Sequence, residues 1–122
     1  VVVVDYADRS SSLARRPWRD WVRTYAAHGR AGHPLEAPGS CDITCEVAID
    51  QLGLAAPIVE ELDQATFLRR HGLDELVAEG RARWAELGLG GGVEALTYRS
   101  RVTEADALTD PAGLGAFTVL RW

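Results

Sequence analysis

The chain opens on an unbroken apolar, β-branched run, Val1–Val4, followed by Asp5 and Tyr6. A strand exposed on one face would alternate polar and apolar positions. A continuous run instead predicts a strand buried on both faces, as in a parallel sheet with helices above and below it. Such a strand calls for neighbours on both sides. Asp5 and Tyr6 then fall at its carboxyl end, where open α/β sheets bind ligands.

Further along, Trp18, Trp21, Val22 and Tyr25 recur at helical spacing behind Pro17, which predicts a helix over residues 17–28. Residues 29–40, rich in Gly, Pro and Ala, read as a long surface loop of the kind that often carries binding functions. Thr44 is placed to cap a short helix carrying Val47, Ile49 and Leu52, with Gly53 as its stop. Residues 57–62 form a weak strand candidate through Ile58, Val59 and Leu62. Residues 64–87 are helical in two pieces divided at Gly72, and residues 116–122 close the chain with a strand. The glycine cluster at 88–92 follows no strand, so it reads as a linker rather than a phosphate loop. Thr103 with Asp106 three residues on resembles a helix start with an acidic first turn. The order of strands and helices suits the second half of a doubly wound α/β sheet.

Composition narrows the function. The chain has 122 residues, one domain's worth, and 47% of them are hydrophobic, enough for a core. The formal net charge of -5 argues against nucleic acid as a main partner. No apolar run is long enough for a membrane span. The chain contains no Met and starts on a β-branched run, so it reads as part of a larger protein. Cys41 and Cys45 do not make a disulfide framework, and a reducing cytoplasm is the simpler expectation.

The motifs follow one another in a distinctive order. Val3-Val4-Asp5-Tyr6 precedes Arg23-Thr24-Tyr25-Ala26-Ala27-His28; then come Pro38-Gly39, Asp42-Ile43-Thr44, Gln64-Ala65-Thr66-Phe67-Leu68, and finally Leu114-Gly115-Ala116-Phe117-Thr118-Val119-Leu120. This series resembles the C-terminal half of the MidA-like methyltransferases, a family that includes the mitochondrial complex I assembly arginine methyltransferase. The resemblance runs through nearly the whole chain. It departs at Ala7, where the family has Gly, at Asp20-Trp21, and at Cys45-Glu46-Val47-Ala48-Ile49.

The resemblance implies an α/β fold, the C-terminal part of a class I, Rossmann-like methyltransferase. Residues 1–6 would be the fifth strand, residues 57–62 the sixth, and residues 116–122 the seventh, inserted antiparallel between them, with flanking helices. It implies S-adenosyl-L-methionine as cofactor, bound mainly by a missing N-terminal half, so that the chain alone would be inactive. It implies a protein substrate, with an arginine as acceptor.

Asp5, Tyr6, Arg23, Tyr25, His28, Asp42 and Thr44 are the substrate-side candidates. All but His28 also have a plainer reading: Asp5 in a turn, Tyr6 packed at the sheet edge, Tyr25 in a core, Arg23 in an ion pair, Asp42 and Thr44 in a turn and a helix cap. On a helix, Arg23 and Tyr25 would not share a face. His28 is a general-base candidate. Two alternatives stand beside the enzyme. One is a non-catalytic interaction domain. The other is a zinc module built from His28, His33, Cys41 and Cys45, whose spacings do not match the usual paired ligands.

Overall fold

The computed structural model describes residues 1–122, the side chain of Leu89 excepted. The chain divides into two compact units. One comprises Val1–Val4 and Glu60–Arg121; the other comprises Asp5–Val59 and Trp122.

The first unit is built on a three-stranded sheet in the order β1-β8-β7, with β1 at Val2–Asp5, β7 at Glu60–Asp63 and β8 at Thr118–Arg121. β8 runs antiparallel to β7, with Leu62 opposite Val119 and Asp63 opposite Thr118. The last strand in the chain therefore lies between the other two, as the resemblance implies. Val119 and Leu120 are the most deeply buried side chains, each 2% exposed.

β1 does not have the burial that its pattern predicts. It sits at the edge of the sheet, and its valines are 38–49% exposed. Among the described residues the strand has one strand neighbour rather than two.

Helices α4 (Gln64–Arg70) and α5 (Leu73–Leu87) follow β7. Asp63 caps α4 by accepting a 2.7 Å hydrogen bond from the Thr66 backbone N–H. The break comes at Gly72, whose φ of +93° is a left-handed conformation that glycine adopts without a Cβ penalty. α5 then packs against α6 (Gly92–Thr109). The helices meet where Gly80 lies against Tyr98 and Arg101: a Cβ there would stand 3.0 Å from the Tyr98 carbonyl oxygen. Glycine at this crossing lets the two backbones approach.

Thr103 does not begin a helix. It lies inside α6, where its hydroxyl donates to the Ser100 carbonyl at 3.1 Å. The Gly88–Gly91 turn joins α5 to α6, a connecting role. Gln64 is buried, and its side-chain amide donates to the Leu108 carbonyl at 3.0 Å. A short 3₁₀ turn, Leu114–Ala116, then leads into β8.

In the second unit, β2 (Ala7–Asp8) pairs in parallel with β6 (Val47–Ala48). The short helix α1 (Ser10–Leu13) contacts α3 (Ile49–Ala55), and Leu13 and Ile49 are buried. α3 runs through Gly53 and stops before Pro57, with Ala56 extended at φ −155°. A residue preceding proline is driven out of the helical region, so proline rather than glycine sets this end.

The main correction concerns residues 17–28. Only α2 (Trp18–Trp21) is helical; β3 (Val22–Ala26) follows and pairs antiparallel with β4 (Gly29–Arg30) and with β5 (Asp42–Cys45). β4 also occupies the start of the expected loop. Thr44 lies within β5 and caps nothing. Thr24 explains the outcome. It is the buried residue of β3, 4% exposed, and its hydroxyl reaches the carbonyls of Ala31 and Gly32 at 3.0 and 2.7 Å. A helix with Trp18, Trp21, Val22 and Tyr25 inward would have turned Thr24 aside. Val, Thr and Tyr also favour the pleated sheet.

Candidate functional site

The ribbon formed by β4, β3 and β5 organises most of the candidate residues. In a strand, residues i and i+2 point to the same face, so Arg23 and Tyr25 share one. The register sets Arg23 opposite Thr44 and Tyr25 opposite Asp42, while Arg30 of β4 faces Tyr25 from the other side. Arg23, Tyr25, Asp42 and Thr44 are thus gathered on one face. The helical reading, which separated Arg23 from Tyr25, is corrected here.

Tyr6 joins this group through Arg23, whose guanidinium lies over its ring at 5.2 Å. The Arg30 guanidinium lies over Tyr25 in the same way, at 5.1 Å. Such contacts use the negative face of the aromatic ring. Asp5 sits at the end of β1, and its carboxylate accepts the Tyr6 backbone N–H at 2.8 Å. This fixes the chain as it leaves the strand.

His28 stands apart from the group. It is exposed on the two-residue turn between β3 and β4, where Ala27 and His28 have φ of +46° and +65°. Positive φ at both central residues gives a turn whose twist matches the strands it joins.

Glu46, Arg16 and Asp8 complete the cluster, and none of the three was singled out from the sequence. The Glu46 carboxylate accepts from Arg16 at 2.5 Å and lies 3.6 Å from the Arg23 Nη2. Arg16 also reaches Asp8 at 3.2 Å, and the Ser12 hydroxyl donates to Asp8 at 2.5 Å. The hydrogen bond to Glu46 raises the Arg16 pKa above its ordinary value. Asp8 is lowered, first by the Ser12 hydroxyl, then by the Arg9 backbone N–H and, opposed by desolvation, by the Arg16 charge. One signal would have revealed Glu46: in strand phase it continues the alternation Asp42, Thr44, Glu46.

Several polar atoms in this region are buried without a hydrogen-bond partner: Arg16 Nε, Trp21 Nε1, Arg23 Nη1 and Thr44 Oγ1. Two clefts flank the ribbon. One of about 480 Å³ lies at Trp18, Arg19, Val22 and Thr24. A smaller one of about 270 Å³ lies at Tyr25, Ala27, Ser40 and Asp42.

The zinc alternative finds no ligand set: among the described residues no three His, Cys, Asp or Glu side chains are grouped to hold a metal ion. Cys41 and Cys45 are free thiols.

An uncharacterized ACR, COG1565 superfamily protein from Burkholderia thailandensis superposes with a TM-score of 0.64 at 23% identity, over 98% of this chain and 31% of that one. A COG1565 superfamily member from the same organism, described as a "likely methyl transferase" and bound to S-adenosyl-homocysteine, superposes with a TM-score of 0.63 at 23% identity, over 98% and 30% of the two chains. The chain shares their mixed α/β fold. It spans just under a third of the length of these proteins. No protein-family model matches the sequence, and no curated protein does. No helix among the described residues is long and apolar enough to cross a membrane.

Proposed function

We propose that this chain is the C-terminal, substrate-side portion of an S-adenosyl-L-methionine-dependent methyltransferase of the MidA-like type, acting on a protein with an arginine as acceptor. One observation carries the reading: the sheet order β1-β8-β7, with β8 returning antiparallel to β7, in a fold shared with a protein bound to S-adenosyl-homocysteine. The exposed valines of β1 add support, since a further strand and covering helices from the rest of such an enzyme would bury them.

The residues present do not fit the cofactor. The Gly88–Gly91 turn joins two helices, whereas a cofactor loop lies between a strand and a helix N-terminus. The cofactor site therefore belongs to the part of the enzyme outside these residues. The contribution of this chain is to bind and orient the acceptor. Methyl transfer depends on holding the nucleophile in line with the methyl group, which is a positioning task. Asp5 and Tyr6 stand at the carboxyl end of β1. Arg23, Tyr25, Asp42 and Thr44 line one face of the ribbon, a surface suited to a polypeptide acceptor. The free thiols accord with a reducing, cytoplasmic setting.

Calorimetric titration with S-adenosyl-homocysteine tests the reading. The polypeptide encoded by the whole reading frame should bind it, and the 122-residue chain alone should not. A folded full-length polypeptide that does not bind would overturn the enzyme reading and favour a non-catalytic interaction module.

A further inference from the structure

We propose that Glu46 is the positioning residue of the substrate-side cluster, holding the Arg23 guanidinium over the Tyr6 ring. The role rests on the methyltransferase reading above. The geometry does not.

Glu46 has a side chain only 12% exposed, and both its oxygens are engaged. One oxygen accepts from Arg16 Nη2 at 2.5 Å; the other accepts from Arg16 Nη1 at 3.4 Å and stands 3.6 Å from Arg23 Nη2. A carboxylate this far from water is tolerated when it is paired. Here one carboxylate spans two guanidiniums. Its place is fixed from three directions. Its backbone N–H donates to the Trp21 carbonyl at 2.9 Å, which holds β5 against the start of β3. Arg16 is tethered in turn to Asp8 at 3.2 Å. Asp8 lies on β2, which pairs with β6 immediately after Glu46.

Arg23 needs this tether. Its stacking on Tyr6 is a single contact, which by itself competes poorly with the rotamer freedom of a long side chain. The Glu46 charge selects the rotamer that lies over Tyr6. With Nη2 turned to Glu46, Nη1 has no partner in the chain, and neither does the Thr44 hydroxyl on the residue opposite. Arg23 thus retains a donor that the unit itself does not use.

Side-chain NMR of the 122-residue chain tests the geometry. The Tyr6 ring should displace the Arg23 Hδ resonances upfield, and Tyr6→Phe should perturb that displacement and so assign it. Glu46→Gln should abolish it while the β3 and β5 amides stay dispersed, and Glu46→Asp should retain part of it. If Glu46→Gln unfolds the ribbon, Glu46→Asp decides, because it keeps the charge but withdraws it by one methylene. An undisturbed Arg23 in the folded variants overturns the proposal. In the full-length polypeptide, Glu46→Gln should raise KM for the polypeptide acceptor about tenfold, the scale of one lost charged contact, with S-adenosyl-homocysteine affinity unchanged. An unchanged KM, or a fall in that affinity, contradicts the positioning role. Failure of the unsubstituted protein to bind S-adenosyl-homocysteine contradicts the methyltransferase reading instead and leaves the NMR result to judge Glu46.

Discussion

Gly115→Ala gives a sharp test of how β8 is delivered into the middle of its sheet. A Cβ at this position would lie 2.4 Å from the Thr109 carbonyl carbon, 2.5 Å from its oxygen and 2.8 Å from the Asp110 oxygen. Non-bonded carbons rest at roughly 3.5–4.0 Å, so something must move by about 1 Å. All three obstacles are backbone, at the end of α6, and no side-chain rotation relieves them. The Gly115 N–H also donates to the Asp110 carbonyl at 2.9 Å, and the same displacement would break that bond. Overpacking costs about 1–3 kcal/mol and a lost hydrogen bond about 1 kcal/mol. The sum is about 3 kcal/mol, or a fall in Tm of roughly 12–24 °C for a unit of this size. Thermal melts followed by far-UV circular dichroism measure it. Gly90→Ala is the control: a Cβ there meets no other atom within 4 Å, and its effect should stay within about 0.5 kcal/mol. If Gly115→Ala melts within a few degrees of the unsubstituted chain, the tight turn before β8 is wrong.

Three further outcomes follow from the geometry. Thr44→Val removes a buried hydroxyl that has no partner, and should raise the stability of its unit by about 1 kcal/mol in denaturant titration. His28→Gly relieves a left-handed residue, and should stabilise the same unit by about 1 kcal/mol in the same assay. Asp8, Asp50 and Asp63 all have lowered pKa values, each through a hydrogen bond first: from the Ser12 hydroxyl, the Ser10 N–H and the Thr66 N–H respectively. A carboxylate lowered below its unfolded value, about 3.9 for Asp, adds stability above that pH and loses it as pH falls through the folded value. Tm should therefore hold steady from neutrality to about pH 5 and drop below about pH 4. Asp63→Asn should make that acid slope shallower for the unit containing α4.

How much of this was visible in the sequence depended on whether the deciding interactions were local. The break between α4 and α5 was legible because a single residue, Gly72, needs a positive φ. The position of β8 was legible through the resemblance of the motif order to that of a known family. The ribbon was not. Trp18, Trp21, Val22 and Tyr25 fit helical spacing, while the feature that makes β3 a strand is the burial of Thr24, satisfied by carbonyls seven and eight residues away. A polar residue made acceptable inside by non-local partners leaves no periodic trace. The start of α6 was equally hidden, since no side chain caps it and its packing rests on a close approach to α5 at Gly80. Of the candidate residues, Arg23, Tyr25, Asp42 and Thr44 share one face of the ribbon, an arrangement that the helical reading could not supply. Glu46 entered only as part of a departure from the family pattern, because its bridge between Arg16, in the turn after α1, and Arg23 of β3 is not local.

The most direct test of the methyltransferase account is binding of S-adenosyl-homocysteine by the polypeptide encoded by the whole reading frame, measured by calorimetry beside the 122-residue chain. The account predicts stoichiometric binding to the longer polypeptide and none to the shorter. A full-length polypeptide that is folded yet gives no heat of binding, or a 122-residue chain that binds by itself, would contradict it.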